Sequence, residues 1–294
     1  MFDHRQQFAD AVYRDTGAVI EPEADGTLHR FDDPNGKRHN RACWYVMHLD
    51  GLPAGAYGNW RTGFQSTWRG HTDCPVSPEE SERAQSLQRQ ALKQRQHERV
   101  QAQAAAASRA AVMWGEGMPA TVQHPYLGRK RIPALGLRQH GDALVVPLRT
   151  VSGELVNLQR IYPDGVKRFL KGGQTIGAFW LSGRTIPDTG TLYLCEGVAT
   201  AATVSQSLCG PVVAAMTAGN LLSVAEAIRA KYSALALVVA TDNDHRTPGN
   251  PGMTKGAEAA RKVQGQLTWP STCREPDCVC TDFNDTANCG RVAR

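Results

Sequence analysis

Three carboxylates stand where a chain alternating between strands and helices would carry its chemistry. Glu196 follows the run Leu192-Tyr193-Leu194-Cys195 directly, and Gly197 opens the turn beyond it. Asp242 and Asp244 follow the apolar run Leu235 to Ala240. In an open α/β sheet, ligands bind at the carboxyl ends of strands, so two such ends can bring all three acids together. Asp242 and Asp244 are two residues apart, and extended backbone aims both side chains the same way. Three crowded carboxylates repel and raise one another's pKa unless a cation shares the space. Hard oxygen donors in this number suit Mg²⁺ or Mn²⁺, which keep waters and accept phosphate oxygens. A metal held there polarises a phosphate and activates an attacking oxygen. Acids that merely cap helices are the competing explanation, and against one acid alone that explanation would win. Glu-Gly after one strand and Asp-x-Asp after another shifts the balance toward a site.

The elements that must position these acids follow from periodicity. Leu192–Cys195 is a predicted strand and 198–208 an Ala/Val-rich helix. Pro211–Ala215 is a strand, and Leu221–Tyr232 a helix with apolar residues at 221, 224, 225 and 228. Ala234–Ala240 is a buried strand and Thr254–Leu267 another helix. Such alternation predicts a parallel sheet with helices on both faces. Upstream, Ala143–Leu148 and Leu155–Leu158 predict strands of an antiparallel or mixed sheet. Residues 1–76, rich in glycine and aromatics with turns at Asp50-Gly51 and Gly58-Asn59, predict a small β-rich module. Ser77-Pro78-Glu79-Glu80 reads as a helix start, and no Gly or Pro follows before Gly115. Its apolar positions are mostly alanine, so this helix has little to bury and serves as an exposed connector. The expected division is a module at 1–76, a helical connector at 77–114, a basic α+β subdomain at 115–190 and an α/β domain at 191–294.

Charge is unevenly spread. The net charge of +5 conceals a block from Arg129 to Arg184 that sums to +7 and includes Arg160, Lys167, Arg168, Lys171 and Arg184, so the remainder sums to −2. A basic block beside a neutral-to-acidic remainder points to a polyanion partner, with an ordinary solvated face as the even alternative. Hydrophobic residues make up 41% of the 294 residues and charged ones 21%, which excludes global disorder. No run approaches a membrane span and the first residues do not open a signal peptide, so a soluble, cytoplasmic protein is expected.

Leu194-Cys195-Glu196-Gly197 through Ala240-Thr241-Asp242-Asn243-Asp244 resembles a Toprim domain, the catalytic fold shared by bacterial-type primases, topoisomerases and some nucleases. Lys167-Arg168-Phe169-Leu170-Lys171-Gly172-Gly173 and Gly177-Ala178-Phe179 resemble the basic strip preceding that domain in bacterial primases. Ala218-Gly219-Asn220-Leu221, Thr281-Asp282-Phe283-Asn284-Asp285, His124-Pro125-Tyr126-Leu127, Trp44-Tyr45 and Gly55 to Gly63 are similar to primases of phages and conjugative plasmids. The resemblance covers nearly the whole chain in ordered segments.

It implies template-directed nucleotidyl transfer: a primer's 3′ hydroxyl attacks the α-phosphate of an incoming nucleotide on single-stranded DNA. Glu196 would then act in acid/base or metal-linked catalysis, with Asp242 and Asp244 on the metal. Asp282 is a further metal candidate, although Asp282-Phe283-Asn284-Asp285 reads equally well as a capped turn. Lys167, Arg168 and Lys171 would hold template or triphosphate, with Arg160 and Arg184 in the same basic block. The rivals are a Toprim nuclease and a non-catalytic single-strand-binding accessory protein; a topoisomerase's DNA gate would hardly fit. No glycine–lysine phosphate loop is present, so a separate helicase is the expected partner.

Of eight cysteines, Cys273, Cys278, Cys280 and Cys289 cluster near the end. Four thiols are the right number for Zn²⁺, but Cys-x-Cys is tighter than usual, and reduced packing cysteines are the favoured expectation. His29, His39, Cys43, His48, His71 and Cys74 fit no zinc spacing. Trp44, Trp60 and Trp68 lie among Arg41, Arg61 and Arg69, a composition that stacks unpaired bases; Trp44 is expected in the core, with Trp60 and Arg61 open.

Overall fold

Asp3 starts the first helix by accepting the amides of Arg5 and Gln6, and Gly17, at φ +73°, closes it. This helix, α1 (His4–Thr16), buries Phe8, Ala11 and Val12 against a four-stranded antiparallel meander. The strands are β1 (His29–Phe31), β2 (Cys43–His48), β3 (Ala54–Asn59) and β4 (Phe64–Arg69). Tyr45 and Tyr57 are register partners, and with Trp68 they surround Phe8 at ring-centroid distances of 5.3 to 5.8 Å. The β-rich expectation holds. The helix went unpredicted, although a capping aspartate and a closing glycine bracket its apolar face.

The computed structural model describes residues 3–36, 38–50, 52–70, 78–271 and 278–289. It divides into two units, 1–95 and 96–294, and the long helix α2 (Pro78–Glu116) begins in the first and ends in the second.

The second unit contains two sheets. In the first, β5 (Met118–Pro119), β6 (Arg138–His140), β7 (Ala143–Arg149), β8 (Leu155–Ile161) and β9 (Lys167–Phe169) form an antiparallel meander. The helix α3 (Pro125–Lys130) precedes β6. Alternation divides its apolar residues. Leu144, Val146, Leu148 and Ile161 join one core, while Val145 and Leu158 join Leu170 and Ala110 of α2 in another.

The second sheet is built from β10 (Trp180–Leu181), β11 (Gly190–Cys195), β12 (Val212–Ala214), β13 (Leu235–Ala240) and β14 (Gln266–Thr268). Its order is β10-β12-β11-β13-β14, with β10 antiparallel and the rest parallel. Leu192, Leu194, Leu237 and Val239 face one core with α5 (Leu221–Lys231) and α6 (Pro251–Lys262). Cys195, Val212 and Ala240 face the other with α4 (Val198–Leu208). The predicted parallel sheet with helices on both faces is therefore present. One correction concerns the predicted helix to Leu267: α6 ends at Lys262, and Gln266–Thr268 is the edge strand. Gly265 lies so close to β13 that a Cβ there would stand 2.7 Å from the Leu237 carbonyl oxygen, and the chain straightens beside it. The last helix is α7 (Phe283–Ala287). Among the described residues, no helix is long and apolar enough to cross a membrane.

Candidate functional site

Cys195 and Ala240 end neighbouring parallel strands in register, so Glu196 and Asp242 leave the sheet side by side. A third segment joins them: the Asn243 amide donates to the Thr281 carbonyl at 2.7 Å, which brings Asp282 to the same edge. Asp282 also caps α7, accepting the Asp285 amide at 2.6 Å. The two interpretations of Asp282 are thus compatible, one oxygen on the helix and the carboxyl at the site. Asp244 is similarly divided, since its Oδ2 accepts the Gly252 amide at 3.0 Å. Gly252 is required there, because a Cβ would stand 2.7 Å from the Asp242 carbonyl oxygen.

The electrostatics record the crowding. Burial, then Glu196, Asp282 and Asp244, push the Asp242 carboxyl up to about 8, with Lys167 pulling the other way. Burial also raises Glu196, opposed by a hydrogen bond from the Ala218 amide, and raises Asp282 against the Asp285 amide. Asp242 Oδ1 is buried with no hydrogen-bond partner. An orphaned buried carboxylate oxygen among acids suits a hard cation. No three of these acids bring oxygens within 4.8 Å of one another, so a cation here would be held by one or two carboxylates, with waters completing its shell.

Lys167 is a cation facing these acids. Its side chain is solvent-accessible but crowded, and burial and Lys130 hold its ammonium below the usual range against the pull of Asp282, Glu196 and Asp242. It stands 5.8 Å from the Tyr126 ring centroid. Lys130, on α3, bonds Asp285 at 3.0 Å. Lys130, Asp285 and the buried Tyr126, whose hydroxyl has no partner, were missed as site neighbours; only the quoted motifs around Tyr126 and Asp285 hinted at them.

The basic strip does not act as one surface. Lys167 pairs with Ile161 and Arg168 with Arg160, so alternation sends Lys167 toward the acids and Arg168 to the opposite face. There Arg138, Val145, Arg160 and Arg168 form one transverse row. Arg138 lies 4.7 Å from the Trp114 ring centroid and Arg160 lies 5.8 Å from that of Tyr162. Arg168 lines a shallow hollow of about 440 Å³ with Asp142, Tyr162 and Asp164, and those two aspartates offset part of the block's charge. Lys171 is exposed at the turn after β9, its carbonyl held by Arg109 at 2.8 Å. Arg184 is not brought to the acids. It precedes β11, near the amino-terminal edge of the parallel strands, where Ser182 pairs with Val212.

Cys278, Cys280 and Cys289 bring their sulfurs within 4.8 Å of one another, with Cys278 and Cys280 buried. Burial, then hydrogen bonds to Cys278 and Cys289, push the Cys280 thiol up to about 12. Cys273 lies outside the described residues. In the first unit, Glu23, Asp25 and His29 also group within 4.8 Å, a cluster the sequence did not reveal; the His29–Asp25 contact of 2.9 Å accounts for it. Trp44 is not in the core as expected. It stacks on Trp60 at 6.0 Å, with Arg30 at 4.7 Å from the Trp60 ring centroid. Arg61 is occupied by Asp33 at 2.6 Å.

Residues 191–291 match the family model of the Toprim domain. This part of the chain is therefore similar to a Toprim domain. The four acids above all fall within it. Two curated Escherichia coli proteins, each called DNA primase TraC, are 34% identical over 278 residues and 33% identical over 282. Both alignments cover 90% of this chain, but only 26% and 19% of the relatives, so the chain spans about a quarter of the first relative's length and less of the second. Among solved structures, the primase fragment of the bacteriophage T7 primase-helicase protein is 18% identical, with a TM-score of 0.44 over 60% of this chain and 72% of that one.

Proposed function

We propose that this chain is a primase-type nucleotidyltransferase that makes short primers on single-stranded DNA from nucleoside triphosphates with Mg²⁺ or Mn²⁺. The observation that carries this reading is the site itself: Glu196, Asp282 and Asp244 act on the Asp242 carboxyl, whose Oδ1 is buried without a hydrogen-bond partner, and Lys167 opposes them. Acids that demand a cation, beside an ammonium, are what a triphosphate needs. The name of the curated relatives points the same way.

Asp242 and Asp244 hold the cation, with Asp282 at its edge. When bound, the metal polarises a phosphate and activates the attacking hydroxyl. Glu196, raised by burial, accepts the proton that the primer's 3′ hydroxyl gives up as it attacks the α-phosphate. Lys167 neutralises the triphosphate. Arg160 and Arg168 hold template phosphates on the opposite sheet face, with Lys171 at its rim; Arg184 has no part in this scheme. In this reading 1–76, 77–114, 115–190 and 191–294 act as module, connector, basic subdomain and catalytic domain. The work is cytoplasmic, and a separate helicase supplies unwinding.

The test is primer synthesis from labelled nucleotides on circular single-stranded DNA, wild type beside Asp242→Ala. Short products lost in the variant are expected. Template degradation lost in the variant would transfer the site to a nuclease, and DNA binding with neither activity would make the chain an accessory protein.

A further inference from the structure

The helix α7 has five residues, far too few to persist on its own. Yet Asp282, its cap, must be held in place beside Asp242. Side-chain bonds tie the helix to the domain: the Asn284 amide donates to the Lys130 carbonyl at 2.7 Å and to the Thr203 hydroxyl at 2.9 Å. Asn288 reaches the same Lys130 carbonyl at 3.2 Å. The thiols bracket this element. Cys278 and Cys280 precede α7 and Cys289 follows it, and all three sulfurs lie within 4.8 Å of one another. Thr281, next to Cys280, is the residue whose carbonyl receives the Asn243 amide.

We propose that Cys278, Cys280 and Cys289 bind one zinc ion that staples both ends of α7 and thereby fixes Asp282 against the Asp242–Asp244 loop. Zinc–sulfur bonds of about 2.3 Å set tetrahedral sulfurs about 3.8 Å apart, so sulfurs already within 4.8 Å need to close by only about 1 Å. Each thiol gives up its proton on binding, and a fourth donor completes the tetrahedron. Buried thiolates suit a soft or borderline ion, whereas the acids nearby suit a hard one, so the two sites sort their metals by chemistry. The ion acts on Asp282 through the backbone, which makes the cysteines positioning residues. The inference rests on the acid cluster being a metal site.

The experiment uses the whole chain, purified under reducing conditions without chelator. Elemental analysis is expected to find about one zinc per chain, and Co²⁺ in its place is expected to give a thiolate-to-cobalt charge-transfer band. Both are lost in Cys280→Ser. Mn²⁺ binding, read by electron paramagnetic resonance, is expected to weaken about tenfold in zinc-stripped wild type, the scale at which outer-sphere supports of metal sites act. Because zinc content and the cobalt band are read on wild type, a Cys280→Ser protein that fails to fold leaves the test intact. Reduced protein without zinc, a disulfide among these cysteines in native mass spectra, or unchanged Mn²⁺ affinity after stripping overturns the proposal. Asp242→Ala separates the two readings, since it should lose Mn²⁺ while keeping zinc. Undiminished Mn²⁺ binding there would overturn the acid site and leave the thiol site standing.

Discussion

Asp242 carries the largest perturbation at the acid site, and its direction has consequences for pH. Its carboxyl titrates at about 8 in the folded chain, far above the unfolded range. Between the two, the folded state holds a proton that the unfolded state has released, so metal-free stability falls as pH rises through that window. Thermal melts across about pH 5 to 9 should show this fall in wild type and a flatter profile in Asp242→Asn. A cation must displace that proton, so Mn²⁺ affinity should rise about tenfold per pH unit and level off above about 8. A pH-independent affinity would exclude Asp242 as a ligand. Glu196, Asp242 and Asp244 were legible in the sequence because a strand end is a local feature, announced by the apolar run before it. Lys130 and Tyr126 were not, because they reach the site from a distant part of the chain and only packing brings them there; Asp285, bonded by its amide to the cap Asp282 of α7, showed only as part of a motif.

At the scale of elements, β9 separates two basic residues that its sequence sets side by side. Lys167 and Arg168 are neighbours in the chain, but pleating sends them to opposite sheet faces. Lys167→Ala should therefore impair nucleotide use and sharpen repulsion among the acids. Arg168→Ala should leave nucleotide KM unchanged while lowering the slope of log K against log salt for single-stranded DNA by about 1. Equal effects of both substitutions on nucleotide KM would contradict the split. The turn Ala218–Asn220 also positions the site, because its first amide bonds Glu196. The buried Asn220 amide holds it through the carbonyls of Thr175, Ala178 and Ala215, at 2.9, 2.9 and 2.8 Å. Asn220→Ala removes this donor from the Ala178 and Ala215 carbonyls, while the Thr175 carbonyl keeps the Ala178 amide, and should cost about 3 kcal/mol, read from urea unfolding. The sequence showed Ala218-Gly219-Asn220 as a motif without its reason, which is a buried amide serving three segments. It also concealed β14, whose short edge strand continues the helical pattern before it and is set apart by Gly265 alone.

The whole molecule has separate cores in its two units. Phe8 is fully buried in the first, among Tyr45, Tyr57 and Trp68. Phe8→Ala should cost the first unit about 3 to 5 kcal/mol. Hydrogen exchange should show protection lost in 3–70 and retained in 118–271. The fold class was legible at this scale because strand and helix periods alternate so regularly from 191 onward. The order of assembly is a further matter, set by the bond from Asn243 to Thr281. Glu196 and the Asp242–Asp244 loop are made well before Asp282, which follows Glu196 by about 90 residues; at ~5–20 residues per second that interval is on the order of 5 to 20 s. In its later part, once Asp242 and Asp244 have been made, the nascent sheet presents two strand ends without Asp282 beside them. Asp282 reaches the other acids only once the segment around Thr281 has been made and docks on Asn243, so each newly made copy passes through a period in which that cluster is incomplete.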